Sequence, residues 1–335
     1  MSSSPSSESK RPDVTLADIE DAAKRLRGMA VLTPLLESPT LNKRLGGRLL
    51  IKAEPLQRTG SFKFRGAYNR LCRLDDEQKK RGVVAYSSGN HAQGVAAAAQ
   101  ILGMPAVIVM PADAPAIKIA NTKGYGAEVV TYDRHGESRE EIGRRIQNQR
   151  GAVLVPPFDD PYIIAGQGTT GLEIAAQAAA AGARLDAFLC GASGGGLITG
   201  ASIALHATSP TTKIFVVEPQ GFDDIGRSLK SGKRETNDPN ARSICDSLLS
   251  PAPGEITFPI IAKHLAGGFA VSDDEVRRAM AAAFAELKLV VEPGGAVSLA
   301  AILAGKFDIK GKTVAIVCSG GNVDPATFIE ALRTA

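Results

Sequence analysis

Hydrophobic positions in this chain fall into two recurring patterns: short unbroken runs rich in Val, Ile and Leu, and longer alanine-rich stretches with helical spacing. The first helix is predicted over residues 18–27, with Leu16, Ile19 and Ala23 on one side and Thr15 as a cap before an acidic first turn. Residues 48–53 (RLLIKA) read as a strand, followed by a helix over 64–74. From Arg81 the two patterns alternate. Strands over 82–86, 106–110, 128–132 and 153–155 are separated by helices over 92–102, 116–123 and 139–150. This alternation predicts βαβ units on a parallel sheet, and four strands suffice for a compact sub-domain that Pro156-Pro157 closes. A second group follows: a helix over 167–181, a strand over 187–190, a helix over 198–205, a strand over 213–218, a long amphipathic helix over 273–287 and a last strand over 313–318. No repeat of solenoid period interrupts this α/β pattern.

The length of 335 residues allows two domains, and 44% hydrophobic with 22% charged residues describes an ordinary soluble globular protein. A net charge of +4 with no basic block interleaved with aromatics argues against a nucleic-acid partner. A mildly basic surface still attracts small anions. Cys72, Cys190, Cys245 and Cys318 lie far apart without a Cys-x-x-Cys pair, which fits reduced thiols in a cytoplasmic protein; His91, His135, His206 and His264 are equally scattered. Residues 1–12 are serine-rich with no apolar core of the signal-peptide kind, so the expectation there is a disordered tail. The uncharged run 94–112 is broken by Gln100, Gly103 and Pro105, and reads as a buried helix and strand rather than a membrane span. The chain ends soon after its last strand, so no appended regulatory domain is expected.

Chemistry concentrates in four loops. In Gln57-Arg58-Thr59-Gly60-Ser61-Phe62-Lys63-Phe64-Arg65-Gly66-Ala67 a lysine sits between two phenylalanines at a strand-to-helix junction. Apolar neighbours penalise its charge and favour a nucleophilic amine; a lysine snorkelling from a packed core is the structural alternative. Ser193-Gly194-Gly195-Gly196-Leu197 comes off a strand and leads into a helix, offering unobstructed N–H groups to a phosphate. It lacks the G-x-G-x-x-G spacing of a dinucleotide site. Gly311-Lys312-Thr313 looks superficially like a P-loop, but a strand follows it where a helix is required. Ser87-Ser88-Gly89-Asn90-His91 opens a helix with hydroxyls and an amide at its positive end, suited to a carboxylate or to plain capping. Cys318-Ser319-Gly320-Gly321-Asn322 follows the final strand, where Ser319 could meet a ring nitrogen or begin a turn. All four loops follow strands, the edge where doubly wound sheets gather their ligands. An amine, a phosphate cup, an amide donor and a hydroxyl together match pyridoxal phosphate.

In the order and identity of these motifs the chain, from about Val14 onward, resembles the fold-type II pyridoxal-phosphate enzymes of the threonine and serine dehydratase and serine racemase branch. The resemblance implies a two-domain α/β fold of the tryptophan synthase beta type, each domain an open, mostly parallel sheet flanked by helices. Residues 13–71 and 157–335 would form the large cofactor-binding domain and 72–156 the small one. It implies that Lys63 holds the cofactor as a Schiff base, that Phe62 packs on its ring, and that Asn90 bonds its phenolic oxygen. Ser193, Gly194, Gly195, Gly196 and Leu197 would cradle its phosphate, and Ser319 would face the pyridine nitrogen. Ser87, Ser88, Asn90 and His91 match the positions that hold a substrate carboxylate. Glu218-Pro219-Gln220-Gly221-Phe222-Asp223-Asp224 resembles the cation loop of metal-activated members, with Glu218, the Phe222 carbonyl and Asp224 as oxygen ligands for Mg²⁺, or Ca²⁺ or Mn²⁺; a solvated acidic turn is the alternative. A homodimer is implied as well. Ser193 stands where relatives commonly begin the cup with glycine, and Cys245 and Ser247 stand where they usually have alanine and glycine, which puts substrate preference in play.

The implied activity is removal of water from threonine, serine or a 3-hydroxy relative such as hydroxyaspartate, giving a 2-oxo acid and ammonia. Ser88 keeps racemisation of serine or hydroxyaspartate open, because a serine there returns the Cα proton from the face opposite the lysine in racemases of the family. A cysteine-synthase-like replacement enzyme is disfavoured by the lysine motif and by His91 after the loop asparagine. A non-catalytic binding protein on the same scaffold is disfavoured by Lys63.

Overall fold

The computed structural model describes residues 13–87, 89–114, 116–133 and 136–334. Its strands are β1 (Leu35–Glu37), β2 (Arg48–Ala53), β3 (Val83–Tyr86), β4 (Ala106–Pro111), β5 (Glu128–Tyr132), β6 (Val153–Leu154), β7 (Ala187–Gly191), β8 (Lys213–Pro219), β9 (Gly267–Val271) and β10 (Thr313–Cys318). They form two sheets, one of six strands ordered β1-β2-β10-β7-β8-β9 and one of four ordered β5-β4-β3-β6. Every pairing is parallel except that of β1 with β2.

The unbroken apolar runs of the sequence are explained by helices on both faces of each sheet. Successive strand residues point to opposite faces. Leu49, Ile51, Leu189 and Ile316 pack on one side of the larger sheet with Val297, Leu299 and Ala300 of the helix Pro293–Leu303. Leu50, Phe188, Ala315 and Val317 pack on the other with Ile198, Ala201 and Leu205 of the helix Gly196–Thr208. In the smaller sheet Val83, Ala85 and Ile108 meet Val95 and Ala96 from the helix Asn90–Ile101. Val84, Val107 and Val109 on its other face meet Ile142 and Ile146 from the helix Arg139–Arg150. Cys190, Cys245 and Cys318 are buried within the larger sheet's packing layers, and Cys72 is half-buried; all four thiols are free.

Strands β2, β5 and β10 and the helix Arg139–Arg150 occupy the predicted residues. The helix expected over 167–181 begins earlier, as Pro161–Ala180, because the Asp160 side chain accepts the Tyr162 and Ile163 N–H groups and Pro161 suits a first helical turn. The helix expected over 64–74 is Lys63–Leu71, so Lys63 is its first residue. The long amphipathic helix ends as a π-helical turn, Ala283–Leu287, stopped by Lys288 at φ +58°. The helix Pro293–Leu303 is apolar on all sides, so it offers no helical period to read.

Arg65, two residues after Lys63, is fully buried, and its guanidinium donates to both Glu54 oxygens at 2.9 and 2.8 Å and to both Glu173 oxygens at 2.6 and 2.8 Å. Lys52 Nζ lies 2.6 Å from Glu173 as well. This cluster ties the lysine's helix to the end of β2 and to the long helix Pro161–Ala180. Forked, charge-assisted bonds of this kind fix orientation as well as distance.

Candidate active site

The loops that follow β2, β3, β7 and β10 meet in one cleft at the C-terminal ends of the strands. Phe62, Lys63, Ser87, Gly89, Asn90 and His91 line one part of it, Ser193 to Leu197 another, and Ser319 a third. Ser88 lies outside the described residues.

The lysine loop is clasped to the loop after β10. The Phe62 N–H donates to the Ser319 carbonyl at 3.1 Å, the Gly321 N–H to the Gly60 carbonyl at 2.9 Å, and Ser61 bridges Gly320. Thr59 is held at φ +61° within this clasp. Lys63 Nζ donates to the Pro157 carbonyl at 2.8 Å and stands 5.2 Å from the Phe62 ring centroid. Burial drives its pKa from 10.5 down to about 8, against the opposing pull of Glu292. An amine so placed is partly uncharged near neutrality.

The glycine loop has no room for side chains. A Cβ on Gly194 would sit 2.3 Å from the Phe158 ring, one on Gly196 2.8 Å from Gln167 Oε1, and Gly195 adopts φ +95°. The first intrahelical bond runs from the Thr199 N–H to the Gly195 carbonyl, leaving the N–H groups of Gly196 and Leu197 for another acceptor. Ser193 turns its oxygen to the Ser250 N–H at 3.0 Å, so its hydroxyl takes part in closing the loop.

At the other helix start, Gln93 makes the first intrahelical bond to Gly89, which frees the first-turn N–H groups of Asn90 and His91. The His91 ring is buried, and its Nε2 lies 3.0 Å from the Val155 carbonyl, so the proton is on Nε2 and Nδ1 is a buried acceptor without a partner. Burial, helped by the charge of Lys63, lowers its pKa to about 3. A neutral ring with that tautomer cannot donate to a carboxylate from Nδ1, so the contribution available from His91 is its main-chain N–H.

Glu218 and Asp224 are fully buried, unlike a solvated turn. Both Glu218 oxygens accept main-chain N–H groups, from Ile225 at 2.9 Å and Gly226 at 2.8 Å, yet burial pushes its pKa well up. Burial raises Asp224 to about 6; Asn237 holds its Oδ1, and its Oδ2 has no partner. Phe222 is in the same turn. Among the described residues no group of three His, Cys, Asp or Glu side chains could hold a metal ion.

The sequence assigned no role to four residues of the cleft, nor to Glu292 behind Asn90. Gln167 is buried beside the glycine loop with both amide atoms unpartnered. Lys118, Arg139 and Asp246 line the mouth; Lys118 pairs with Asp246 at 2.5 Å and Arg139 with Glu140 at 2.8 Å. Glu292 is buried against Asn90. A single charged or amide side chain carries no periodicity, and these residues lie outside the four loops whose local chemistry stood out.

A family model described as pyridoxal-phosphate dependent enzyme matches residues 28–320. The chain belongs to this family. The L-threo-3-hydroxyaspartate ammonia-lyase of Pseudomonas sp is 45% identical to it over 316 residues, covering 94% of this chain and 98% of that one. The serine racemase of Schizosaccharomyces pombe is 40% identical over 310 residues, covering 92% and 94%. Among solved structures, a T.th. threonine deaminase superposes with a TM-score of 0.87 at 45% identity, over 92% of this chain and 99% of that one. The residues present fit the family's cofactor: an amine of lowered pKa, a glycine cradle at a helix N-terminus where any Cβ would clash, and the orphaned amide of Gln167 beside it.

Proposed function

We propose that this pyridoxal-phosphate family member removes water from a small 3-hydroxyamino acid, giving an enamine that water then hydrolyses to a 2-oxo acid and ammonia. The observation that carries this reading is Lys63, an amine held on the first turn of a helix in the cleft with its pKa lowered to about 8. The bound cofactor supplies an electron sink for the substrate Cα. Lys63 anchors it and, once released, takes the Cα proton on Nζ. Gly194, Gly195, Gly196 and Leu197, with Ser193, would hold the phosphate, Phe62 would pack on the ring, Asn90 would donate to the ring oxygen, and Ser319 would bond the ring nitrogen without charging it. Ser87, Asn90 and the main-chain N–H of His91 hold the substrate carboxylate, together with Ser88. Lys118 and Arg139 stand at the mouth, and exchange of their present partners Asp246 and Glu140 for a second substrate carboxylate would suit hydroxyaspartate, in keeping with the 45% identical ammonia-lyase. The cleft between residues 72–156 and the remainder is then the boundary of a small and a large domain.

The reading is tested by following 2-oxo acid release and enantiomer composition together on L-threonine, L-serine and L-threo-3-hydroxyaspartate. Rapid oxo-acid release with little D-isomer is expected, fastest for hydroxyaspartate. D-isomer accumulating faster than oxo acid would make the protein a racemase, with the Ser88 hydroxyl as second acid, in line with the 40% identical racemase.

A divalent cation, Mg²⁺ or in its place Ca²⁺ or Mn²⁺, would discharge the buried Glu218 and Asp224 and take the Phe222 carbonyl as a further oxygen. Added Mg²⁺ is expected to raise Tm, and Asp224→Asn to abolish the rise. Exposed Met29, Val31, Leu32 and Leu56 support a homodimer. No helix among the described residues is long and apolar enough to cross a membrane, and the four free thiols favour a cytoplasmic setting.

A further inference from the structure

Behind Asn90 lies a chain of polar groups that the roles above do not use. Asn90 Nδ2 donates to Glu292 Oε1, while Asn90 Oδ1 accepts from Asn322 Nδ2 at 2.7 Å. Asn322 Nδ2 also donates to the Thr59 carbonyl at 2.7 Å, in the clasp that precedes Lys63. The amide of Asn90 is therefore gripped from both ends, with one N–H taken and the second left over. Glu292 is 1% exposed and stands at the N-cap of the helix Pro293–Leu303, but its carboxylate bonds none of the helix N–H groups. Its Oε2 is buried with no partner. A Cβ on Gly320 would lie 2.3 Å from Oε1, so the loop after β10 is shaped around this carboxylate. A buried acid that spends its position on a neighbouring amide rather than on its own helix calls for a reason beyond packing.

We propose that Glu292 is a positioning residue with two separate effects: it holds the Asn90 amide in place for the cofactor, and by its charge it favours protonation of the nitrogen joining Lys63 to the cofactor. This rests on the reading that Lys63 carries the cofactor and that Asn90 meets its ring oxygen. The carboxylate and Asn322 lock the Asn90 amide so that its spare N–H points one way only. The negative charge favours the protonated form of the Lys63 nitrogen. The charged groups facing Glu292 are Lys63 from the lysine's helix, Lys118 from the helix Ala116–Gly124 and Asp246 from the short helix Asp246–Leu248. Burial raises the Glu292 pKa to about 7, Lys118 and Lys63 hold it down, and Asp246 pushes it up. Its ionisation thus changes near neutrality.

The test is the absorbance of the holoenzyme titrated against pH. Wild-type protein that shows the visible band of a lysine-bound cofactor, lost in Lys63→Ala, secures the underlying reading independently. Glu292→Gln keeps an oxygen for Asn90 and removes the charge. It is expected to retain the cofactor and to move the midpoint of the spectral transition down by about one pH unit. Glu292→Asp, which keeps the charge, is expected to titrate as wild type does, and Asn322→Ala to keep the midpoint while weakening cofactor affinity. A wild-type midpoint in Glu292→Gln overturns the proposal. If Glu292→Gln does not fold, a midpoint displaced in Asn322→Ala or Glu292→Asp overturns it, because the charge is present in both.

Discussion

At the scale of single residues the sharpest expectation concerns Lys63. Burial lowers its pKa to about 8, so between about pH 8 and 10.5 the folded protein holds fewer protons there than the unfolded chain. The cost of burying this charge is therefore borne in full below about pH 8 and is relieved as pH rises across that window, so stability increases there. The same shift governs chemistry: cofactor uptake by the apoprotein requires the neutral amine, so its rate is expected to climb through about pH 8 and level off above. Stopped-flow absorbance at a series of pH values would show it, and a rate flat across pH 7 to 9 would refute the shift. His91 illustrates how far a residue's type can mislead about its role. Its place after Asn90 was legible, but the carbonyl of Val155 that fixes its tautomer is 64 positions away in the chain.

At the scale of elements, the glycine loop and the lysine's helix are built by different means. Gly195 needs both its φ of +95° and the absence of a Cβ, which would stand 2.7 Å from Ile261. Gly195→Ala is expected to weaken cofactor affinity at least about tenfold, the loss of a single good charge-assisted bond. Gly232→Ala, at φ +76° with open space around it, is expected to leave affinity unchanged in the same absorbance titration. The lysine's helix depends on Arg65. Arg65→Met leaves Glu54 buried without its main partner and is expected to cost about 3 kcal/mol in denaturant unfolding of the apoprotein. The alternating apolar runs made most strands and the helices between them readable, because parallel strands covered on both faces cannot hide their hydrophobicity. Short β1, the polar helix Asp76–Arg81 and the wholly apolar helix Pro293–Leu303 were not readable, since each lacks the period that distinguishes one face from another. The four site loops were legible for the same reason as the strands they follow. Glu292 and Asn322 were not, because their meaning lies in Asn90, which is 202 and 232 positions away.

At the scale of the whole molecule, the cleft is bridged by the Lys118–Asp246 pair, which joins a helix beside the four-stranded sheet to a segment beside the six-stranded one. Burial opposes the charge on Lys118, but Asp246 and Glu292 outweigh it and raise its pKa. Lys118→Met should therefore loosen the mouth, and kinetics read well to the alkaline side of about pH 7, where Glu292 is ionised with or without Lys118, separate that loss from any effect on the reacting amine. KM for an anionic substrate is expected to rise about fivefold with kcat nearly unchanged, the signature of lost binding common to ground and transition state. Steady-state kinetics on hydroxyaspartate would distinguish this from a fall in kcat, which would place Lys118 in the chemistry.

The buried thiols turn the larger sheet into its own stopwatch. Cys190 and Cys318 lie near the ends of adjacent central strands and Cys245 directly precedes the short helix at the cleft mouth, all fully buried with pKa values pushed up by burial, whereas Cys72, also raised, is only partly buried. A thiol-reactive label should reach the partly buried Cys72 first and the other three only when the structure opens around them. The order in which their masses change would separate a transient parting of the cleft, which frees Cys245, from rupture of the β7–β10 seam, which frees Cys190 and Cys318 together.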